Sequence, residues 1–439
     1  MEKYANYLDS GIKWIGKIPA LWKMARVKNA FVRKNSKAMQ EEPTILSLAR
    51  SGVKIRDVSA NEGQVAESYF NYNPVLVGDL LINPMDLYSG ANCNISEVEG
   101  VISPAYFNLK NKEGYNPKFF DYYFKVQYWM MVFFAHGRGV SQDNRWVLNA
   151  ETLMNYPIVV PKLWQQNDIV AYLDNHTARI DVLLADLQSQ SEMLDKYKRE
   201  LIVAAVTKGL DKSVTLKDSG VEWIGAIPHT WSINKIRFLG TLQNGISKSG
   251  DSFGTGFPFV SYGDVYNNVT LPTAVSGLVE SSVMERNLFS VKSGDVFFTR
   301  TSETVEEIGI ASTCDKTICD ATFAGFLIRF RPSSKLLTKD YAKYYFRSDI
   351  LRKYFVKEMM IVTRASLGQN LLKNTPVPLP PVAEQEIIAE YLNEKTSKIE
   401  DLISDINEQM DKLKQYRQIV IHDAVTGKIK VSEETGYGD

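Results

Sequence analysis

The sequence predicts an α+β protein with a pseudo-two-fold internal repeat. Two globular domains are expected, separated by a pair of long antiparallel coiled-coil helices. Three observations predict this. Residues 9–22 read DSGIKWIGKIPALW and residues 218–231 read DSGVEWIGAIPHTW, identical at nine of fourteen positions. Residues 161–207 align without a gap on residues 380–426, at an offset of 219 rather than 209, so the stretch between is ten residues longer in the second copy. Between these repeated segments the sequence diverges. A scaffold kept twice around different inserts suits the reading of two targets better than the running of one reaction.

In chain order the elements follow. Residues 1–155 form a framework segment and the first domain, and 156–209 the first conserved helix. Residues 210–374 repeat framework and domain, and 375–439 hold the second helix and a tail. Each helix is reached through prolines (Pro157, Pro161; Pro376, Pro378, Pro380, Pro381), which hold the chain extended before the first turn. Apolar residues then recur at four-three spacing through Ile169, Leu173, His176, Ile180, Leu183, Leu187, Gln190, Leu194, Tyr197, Leu201 and Ala204. Adding 219 gives Ile388, Leu392, Lys395, Ile399, Leu402, Ile406, Gln409, Leu413, Tyr416, Val420 and Asp423. That period over five heptads predicts a coiled-coil seam. Two such helices in one chain can satisfy each other, and a pseudo-two-fold axis would make them antiparallel. Gln190 and Gln409 share a seam position, either as tolerated polar residues or as a pair that fixes register. Gly209 and Gly427 stand where C-terminal caps are expected.

The inserts, residues 23–155 and 232–374, read as short strands and turns with a few helices. Matched positions survive: Gly78-Asp79 with Gly294-Asp295, residues 122–124 with 344–346, and Arg145 with Arg364. The inserts are therefore expected to be divergent copies of one α+β domain. In residues 338–357, Lys339, Lys343 and Arg347 recur on one helical face, while Ala342, Phe346, Ile350 and Tyr354 line another. Such a basic ladder suits either a phosphate backbone or an ordinary solvated face.

Composition narrows the function. The 439 residues carry 51 basic and 51 acidic side chains, but residues 23–155 hold 15 Lys and Arg against 13 Asp and Glu, and 232–374 hold 18 against 13. The inserts are thus +2 and +5 within a neutral chain, and the framework is acidic. No run of about 18 apolar residues is present, which excludes a membrane-spanning segment. The first residues lack the apolar core of a signal peptide. Cys93, Cys314 and Cys319 show neither metal-ligand spacing nor a disulfide framework, so a cytoplasmic location is expected.

Catalytic signatures are missing as well. There is no phosphate-binding G-x-x-x-x-G-K-[ST] loop and no three-glycine dinucleotide fingerprint. An Asn/Asp-Pro-Pro-aromatic motif for a flipped base is absent too; residues 83–86 (NPMD) come nearest. His136, His176, His229 and His422 are scattered without a cysteine partner. The chain is expected to catalyse nothing alone, with no catalytic residue and no metal site.

The start motif S-G-x-x-W-I-G-x-I-P-x-x-W, the proline-rich approach with Gln166 or Gln385 opening a long helix, and the endings AVTKG (205–209) and AVTGK (424–428) resemble the specificity (S) subunits of type I restriction-modification systems. Residues 100–106 (GVISPAY) are similar to a segment of that family's target-recognition domains. The resemblance covers essentially the whole chain. It implies a non-catalytic reader whose two target-recognition domains each recognise half of an asymmetric bipartite site on double-stranded DNA. It also implies that the framework docks two modification (M) subunits, which methylate adenine N6, and up to two restriction (R) subunits. S-adenosylmethionine, ATP and magnesium would then belong to the partners. The rivals are an orphan scaffold that occupies M subunits without reading DNA, and a catalytic methyltransferase.

Base-reading residues are sought among polar and basic loop positions, because Arg suits guanine or phosphate, Asn suits adenine and Glu accepts from cytosine. In the first insert these are Arg50, Lys54, Arg56, Asn83, Tyr88, Asn92, Arg138 and Arg145. In the second they are Lys248, Tyr262, Arg300, Thr301, Ser302, Glu303 and Arg364.

The seam also sets an expected ruler. Deleting one heptad from each helix, residues 180–186 and 399–405, keeps the seam in phase but shortens it by about 10 Å, roughly three base pairs. Three base pairs also turn the duplex by about 100°. The expected outcome is a folded protein that still binds M subunits but no longer directs methylation to its original site. Unchanged methylation of that site would show that the helices do not set the spacing.

Overall fold

The computed structural model describes residues 2–58, 66–85, 87–88, 92–139, 146–302, 304, 307–358 and 365–431. The chain divides into two compact units: residues 1–187 with 408–439, and residues 188–407. Both are α+β, and each contains half of either long helix.

In unit 1 the start motif forms the antiparallel strands Tyr7–Asp9 and Lys17–Pro19, with Asp9 Oδ1 accepting the Gly11 N–H at 2.9 Å to make the turn. Its Ile15, Ile18 and Trp22 are buried in the main core, and Trp14 stacks on Tyr156 with ring centroids 5.7 Å apart. These identities are therefore retained for packing. Strand Lys23–Arg26 pairs with Pro157–Val160, closing the insert at its base. Within the insert, strands Phe31–Lys34, Phe107–Asn111, Leu80–Ile82 and Cys93–Ile95 make an antiparallel sheet in that spatial order. The run Leu80–Ile82 is continuously apolar because both faces are covered. Leu80 and Ile82 enter the main core, whereas Leu81 faces a smaller cluster with Leu46, Leu48, Val75 and Ile102. The helix Pro117–Trp129 supplies Phe119, Phe120, Tyr123 and Phe124 to the main core.

Unit 2 repeats the plan. Strands Leu216–Asp218 and Ala226–Pro228 pair, Ser232–Lys235 pairs with Pro376–Leu379, and Trp223 stacks on Tyr354 at 4.6 Å. Its central sheet runs Gly240–Asn244, Leu327–Pro332, Val296–Thr299, Ala311–Thr313, the same order as in unit 1. The inserts are thus two versions of one domain, as expected. Val296 and Phe298 face the main core and Phe297 faces a second one. The difference lies beyond that sheet. Unit 1 adds a hairpin, Leu46–Ala49 with Gly52–Ile55; unit 2 adds the sheet Leu278–Val279, Phe253–Val260, Thr322–Phe323. The expected single helix over 338–357 is two, Lys339–Arg347 and Asp349–Glu358, broken at Ser348.

The long helices are Leu163–Lys208 and Val382–Val425. In unit 1 Ile169 and Leu173 share a core with Val420, Ala424 and Val425, and Asp181 pairs with Arg417 at 2.8 Å. In unit 2 Ala205 and Val206 share a core with Ile388 and Leu392, and Lys198 pairs with Glu400 at 3.5 Å. Both arrangements are antiparallel. Asp181 and Glu400, and likewise Lys198 and Arg417, are equivalent at the 219 offset, so one ion pair is built twice.

The seam needs one correction. The row Leu173, Ile180, Leu187, Leu194, Leu201 turns inward, but the other row lies one residue later than expected. Thr177, Leu184, Ser191, Lys198 and Ala205 take it in place of His176, Leu183, Gln190, Tyr197 and Ala204. Leu183 is 50% exposed and Tyr197 54%. In the second helix Thr396, Ile403, Met410, Arg417 and Ala424 replace Lys395, Leu402, Gln409, Tyr416 and Asp423. In the first helix the expected row holds three apolar residues, Leu183, Tyr197 and Ala204, and the inward row only Leu184 and Ala205, so apolar content pointed to the wrong row. The second helix carried the signal, since Ile403 and Met410 outrank Leu402 and Gln409. Gln190 and Gln409 are exposed, and the cross-helix polar contacts of the seam are the two equivalent ion pairs.

Each helix ends in a left-handed glycine, Gly209 at φ 73° and Gly427 at φ 71°. A Cβ on Gly427 would collide with Pro19 and one on Gly209 would lie 3.3 Å from Trp231, so the cap is pressed against the start motif. Beyond Gly427, Lys428 Nζ donates to the carbonyls of Ile15 at 3.1 Å and Lys17 at 3.0 Å, and the Lys430 N–H donates to the Glu2 carbonyl at 2.9 Å. The start of the chain therefore lies against the end of the second helix.

A circular permutant opened near Asp211, with residues 1 and 431 joined by a short linker, should fold to a monodisperse protein with the melting temperature of the parent. Gel filtration and thermal melting check this; an aggregated permutant would show that the connection after Gly209 is required.

Candidate functional site

The two inserts are seated on the framework by the same polar contacts. Gln166, fully buried, accepts the Asn116 N–H through Oε1 at 2.8 Å and donates to the Pro161 carbonyl at 2.9 Å. Gln385 repeats this with Thr338 N–H and the Pro380 carbonyl, both at 2.9 Å. Tyr122 donates to Asp174 at 2.7 Å and Tyr344 to Asn393 at 2.7 Å, while Tyr123 and Tyr345 donate to the carbonyls of Pro157 and Pro376. Buried polar groups satisfied this way fix an orientation that apolar contact alone leaves loose. Burial also raises the phenols of Tyr123 and Tyr345 well above their ordinary range, so they act as neutral donors.

The matched Gly-Asp pairs prove structural. Gly78 (φ 89°) and Gly294 (φ 87°) turn the chain into a central strand. Asp79 Oδ2 then accepts the Leu76 N–H, and Asp295 Oδ2 the Lys292 N–H, each at 2.8 Å. Both carboxylates are buried and ion-paired, Asp79 with Lys34 at 2.5 Å and Asp295 with Arg331 through two bonds of 2.6 Å.

Against this shared interior, the loops carry the differences. In unit 1, Arg50 is exposed at the turn of the hairpin and Lys54 on its returning strand. Arg56 follows, its N–H donating to the Ile45 carbonyl at 2.8 Å. It lines a cleft of about 530 Å³ together with Ser47, Tyr72, Met85, Ser103 and Tyr106. The fold thus brings Arg56 beside the 100–106 segment singled out in the sequence. Tyr72 and Met85 were not anticipated, because nothing local to them signals a concave surface. Tyr88 is 78% exposed, its ring 6.2 Å from that of Phe134, and Arg138 is exposed with its backbone paired to Val147. The Leu148 N–H donates to the Pro84 carbonyl, which brings the loops bearing Tyr88 and Arg138 together. Asn83 and Asn92 lie below them, buried. The Asn83 side chain accepts the Met85 N–H at 2.9 Å, and the two residues are joined through their backbones.

In unit 2, Arg300 and Thr301 lie at one edge, where Thr301 pairs with Ser366 and the Arg300 carbonyl accepts the Leu367 N–H at 2.7 Å. Ser302 continues that strand. Phe326, 65% exposed and bonded through its carbonyl to the Arg300 N–H, joins this edge and was missed, since a lone aromatic reads as core. Tyr262 donates to the Glu307 carbonyl at 3.1 Å and stacks on Tyr266. Lys248 is ion-paired with Glu285 at 2.6 Å. That hydrogen bond, with two from Ser282, holds the Glu285 carboxyl down at about 2. Arg145, Glu303 and Arg364 lie outside the described residues.

The basic ladder is used within the protein. Lys339 pairs with Asp315 at 2.5 Å, Lys343 donates to Asn393 at 2.7 Å, and Arg347 donates to the carbonyls of Val265, Tyr266, Asn268 and Ala311. Among the described residues no three His, Cys, Asp or Glu side chains are grouped to hold a metal ion. No helix among them is long and apolar enough to cross a membrane.

Comparison with known proteins agrees with this architecture. Residues 228–412 match the family model of the type I restriction modification DNA specificity domain. The chain is 21% identical over 421 residues to the Escherichia coli type I restriction enzyme EcoBI specificity subunit, covering 92% of this chain and 84% of that one. It is 23% identical over 363 residues to the Methanocaldococcus jannaschii MjaVIII specificity subunit, covering 80% and 81%. Among solved structures, a chain from a study of assembly and conformational transition in the type I R-M system superposes with a TM-score of 0.70. It is 16% identical, with 93% of this chain and 98% of that one covered. The HsdS subunit of Thermoanaerobacter tengcongensis matches at a TM-score of 0.51 and 15% identity, over 93% and 98%.

The Asp295–Arg331 pair generates a stability prediction. Asp295→Ala leaves the partly exposed guanidinium with only Ser290 as partner and frees the Lys292 turn, and should cost about 2 kcal/mol. Chemical denaturation followed by tryptophan fluorescence checks this; a loss within about 0.5 kcal/mol would place the pair among surface bridges of little weight.

Proposed function

We infer that the chain belongs to the specificity (S) subunits of type I restriction-modification systems and reads an asymmetric bipartite site on double-stranded DNA, one half through each unit. The observation that carries this reading is the pairing of sameness and difference. One four-stranded domain is built twice on one framework, with the same tyrosine and glutamine contacts, while the loops at its surface share almost nothing. Phosphate contacts position a protein on DNA and base contacts specify, so divergence confined to the loops is what two different half-sites require.

In this reading the chain is not an enzyme. Its framework docks two modification subunits, which methylate adenine N6, and up to two restriction subunits join them. S-adenosylmethionine, ATP and magnesium belong to those partners, and the complex works in the cytoplasm. The orphan scaffold, which would occupy M subunits without reading DNA, gives no reason for two different loop sets. For base reading in unit 1 we propose Arg56 in its cleft, together with Arg50, Lys54, Tyr88, Arg138 and Arg145; the buried Asn83 and Asn92 join the loop below Tyr88. In unit 2 the corresponding set is Arg300, Thr301, Ser302, Glu303 and Arg364, flanked by Lys248 and Tyr262.

Exchanging residues 23–155 for the equivalent domain of another S subunit, in complex with the M subunits, should change one half of the methylated site and leave the other half and the spacing intact. Methylome sequencing reads this directly. Altered sequence in both halves would overturn the assignment of one half-site to each unit.

A further inference from the structure

Beneath the second recognition domain, where its helix Lys339–Arg347 meets the long helices, unit 2 holds a cleft of about 540 Å³. Its charged lining consists of Lys198, Arg199, Lys343 and Arg347 against Asp349 and Glu400. Lys198 and Arg199 are covered by carboxylates: Lys198 by Glu400 at 3.5 Å and Asp195 at 3.4 Å, Arg199 by Asp195 at 2.5 Å and Asp349 at 3.3 Å. Lys343 and Arg347 are different. Arg347 spends its donors on backbone carbonyls, which satisfy its hydrogens but not its charge. Lys343 has the amide oxygen of Asn393 at 2.7 Å and the Tyr344 ring at 4.6 Å, and no carboxylate within ion-pair distance among the described residues. In the adjoining hollow Asp315 is held by Lys339 at 2.5 Å, and Asp340 is exposed. Partial burial lowers the Lys343 pKa, and the carboxylates of Asp340, Asp315 and Glu400, none within ion-pair distance, offset it only in part.

The repeat supplies an internal control. Aligning Tyr122 with Tyr344 puts Asp121 at the place of Lys343 and Lys125 at that of Arg347, and the framework offset puts Asp174 at that of Asn393. In unit 1 Asp121 and Lys125 neutralise each other at 2.6 Å, and Asp174 is paired with Lys118 at 2.8 Å. Unit 2 thus replaces Asp121 and Asp174 by an ammonium and an amide and Lys118 by a carboxylate, Asp340, a net gain of one positive charge, while keeping the tyrosine, the threonine (Thr177, Thr396) and the opposing ion pair. The change leaves two positive charges on successive turns of one helix, ringed by the hydroxyls of Thr270 and Ser397. Three acceptor oxygens carrying negative charge meet such a set of donors.

We propose that this cleft is a phosphate-binding site peculiar to the second unit, with Lys343 as its principal donor and the DNA backbone as the source of the phosphate. The assignment to DNA rests on the functional reading above; the phosphate chemistry does not. Lys343 would then be a positioning residue that adds affinity without sequence preference.

The test uses the full chain in complex with its M subunits and a duplex carrying the methylated site found in vivo. Two variants restore features of unit 1 or remove the charge: Asn393→Asp, which gives Lys343 the carboxylate that Asp174 represents, and Lys343→Gln. Both should weaken duplex binding roughly tenfold at fixed salt, equally for target and non-target sequences. They should also lower the slope of log affinity against log salt by about one. If instead duplex binding is unchanged, but millimolar inorganic phosphate raises the melting temperature of the parent and not of the variants, the site takes a free phosphate. Unchanged DNA binding with no phosphate effect on the parent overturns the site. A parent complex without preference for its methylated duplex would overturn the functional reading instead.

Discussion

The main hydrophobic core of each unit is completed by segments of both long helices. In unit 1, Ile15, Ile18 and Trp22 at the start of the chain pack with Ile169 and Leu173 of the first helix and with Val420, Ile421, Ala424 and Val425 of the second. In unit 2, Ile224, Ile227 and Trp231 pack with Ala205, Val206, Ile388 and Leu392. Burying these side chains removes several hundred Å² of apolar surface, at roughly 25 cal/mol per Å², so neither helix is an optional linker. The left-handed glycine, the tyrosine pair and the buried glutamine all serve this closure. They stop the helix against the start motif, seat the insert on its side, and orient its first turn.

That dependence explains what the sequence disclosed. Residues that close a core must satisfy several neighbours at once, so they recur in both copies, and the repeat made the framework legible down to Gly209, Gly427, Gln166 and Gln385. The Gly-Asp match was visible for the same reason, although its role as a buried turn and ion pair needed the fold. The second row of the helix seam was less legible. Thr177, Ser191 and Lys198 are polar at inward positions, because this seam is narrow and its edge tolerates hydroxyls and long cationic stems. The candidate site was least legible. Arg56 gains its cleft from Tyr72, Met85 and Tyr106, which lie far from it along the chain and recur nowhere in the second copy.

The division between interior and surface also answers how one fold can carry two different sets of loops. Sheet order, the tyrosine anchors and the buried Asp79 and Asp295 are common to both units, so a loop can change without disturbing the contacts that seat its domain. Where the units differ below the loops, as at Lys343 and Asp121, the charge is reversed and the partner changes with it, from Lys125 to Asn393.

Because the core of unit 1 includes Val420, Ile421, Ala424, Val425 and Ile429 while unit 2 is one continuous stretch, 188–407, the order of synthesis and the order of completion differ. The domain made first cannot finish folding until nearly the last residues appear. At synthesis rates of about 5–20 residues per second, it waits roughly 12–46 seconds with Ile169, Leu173 and the start motif lacking part of their cover. Meanwhile the downstream unit has every residue it needs and completes itself. Translation therefore runs opposite to maturation: the amino-terminal half is sealed last, by the helix that ends the chain. Loss of residues after about 420 would damage the far end of the sequence more than the end that was cut.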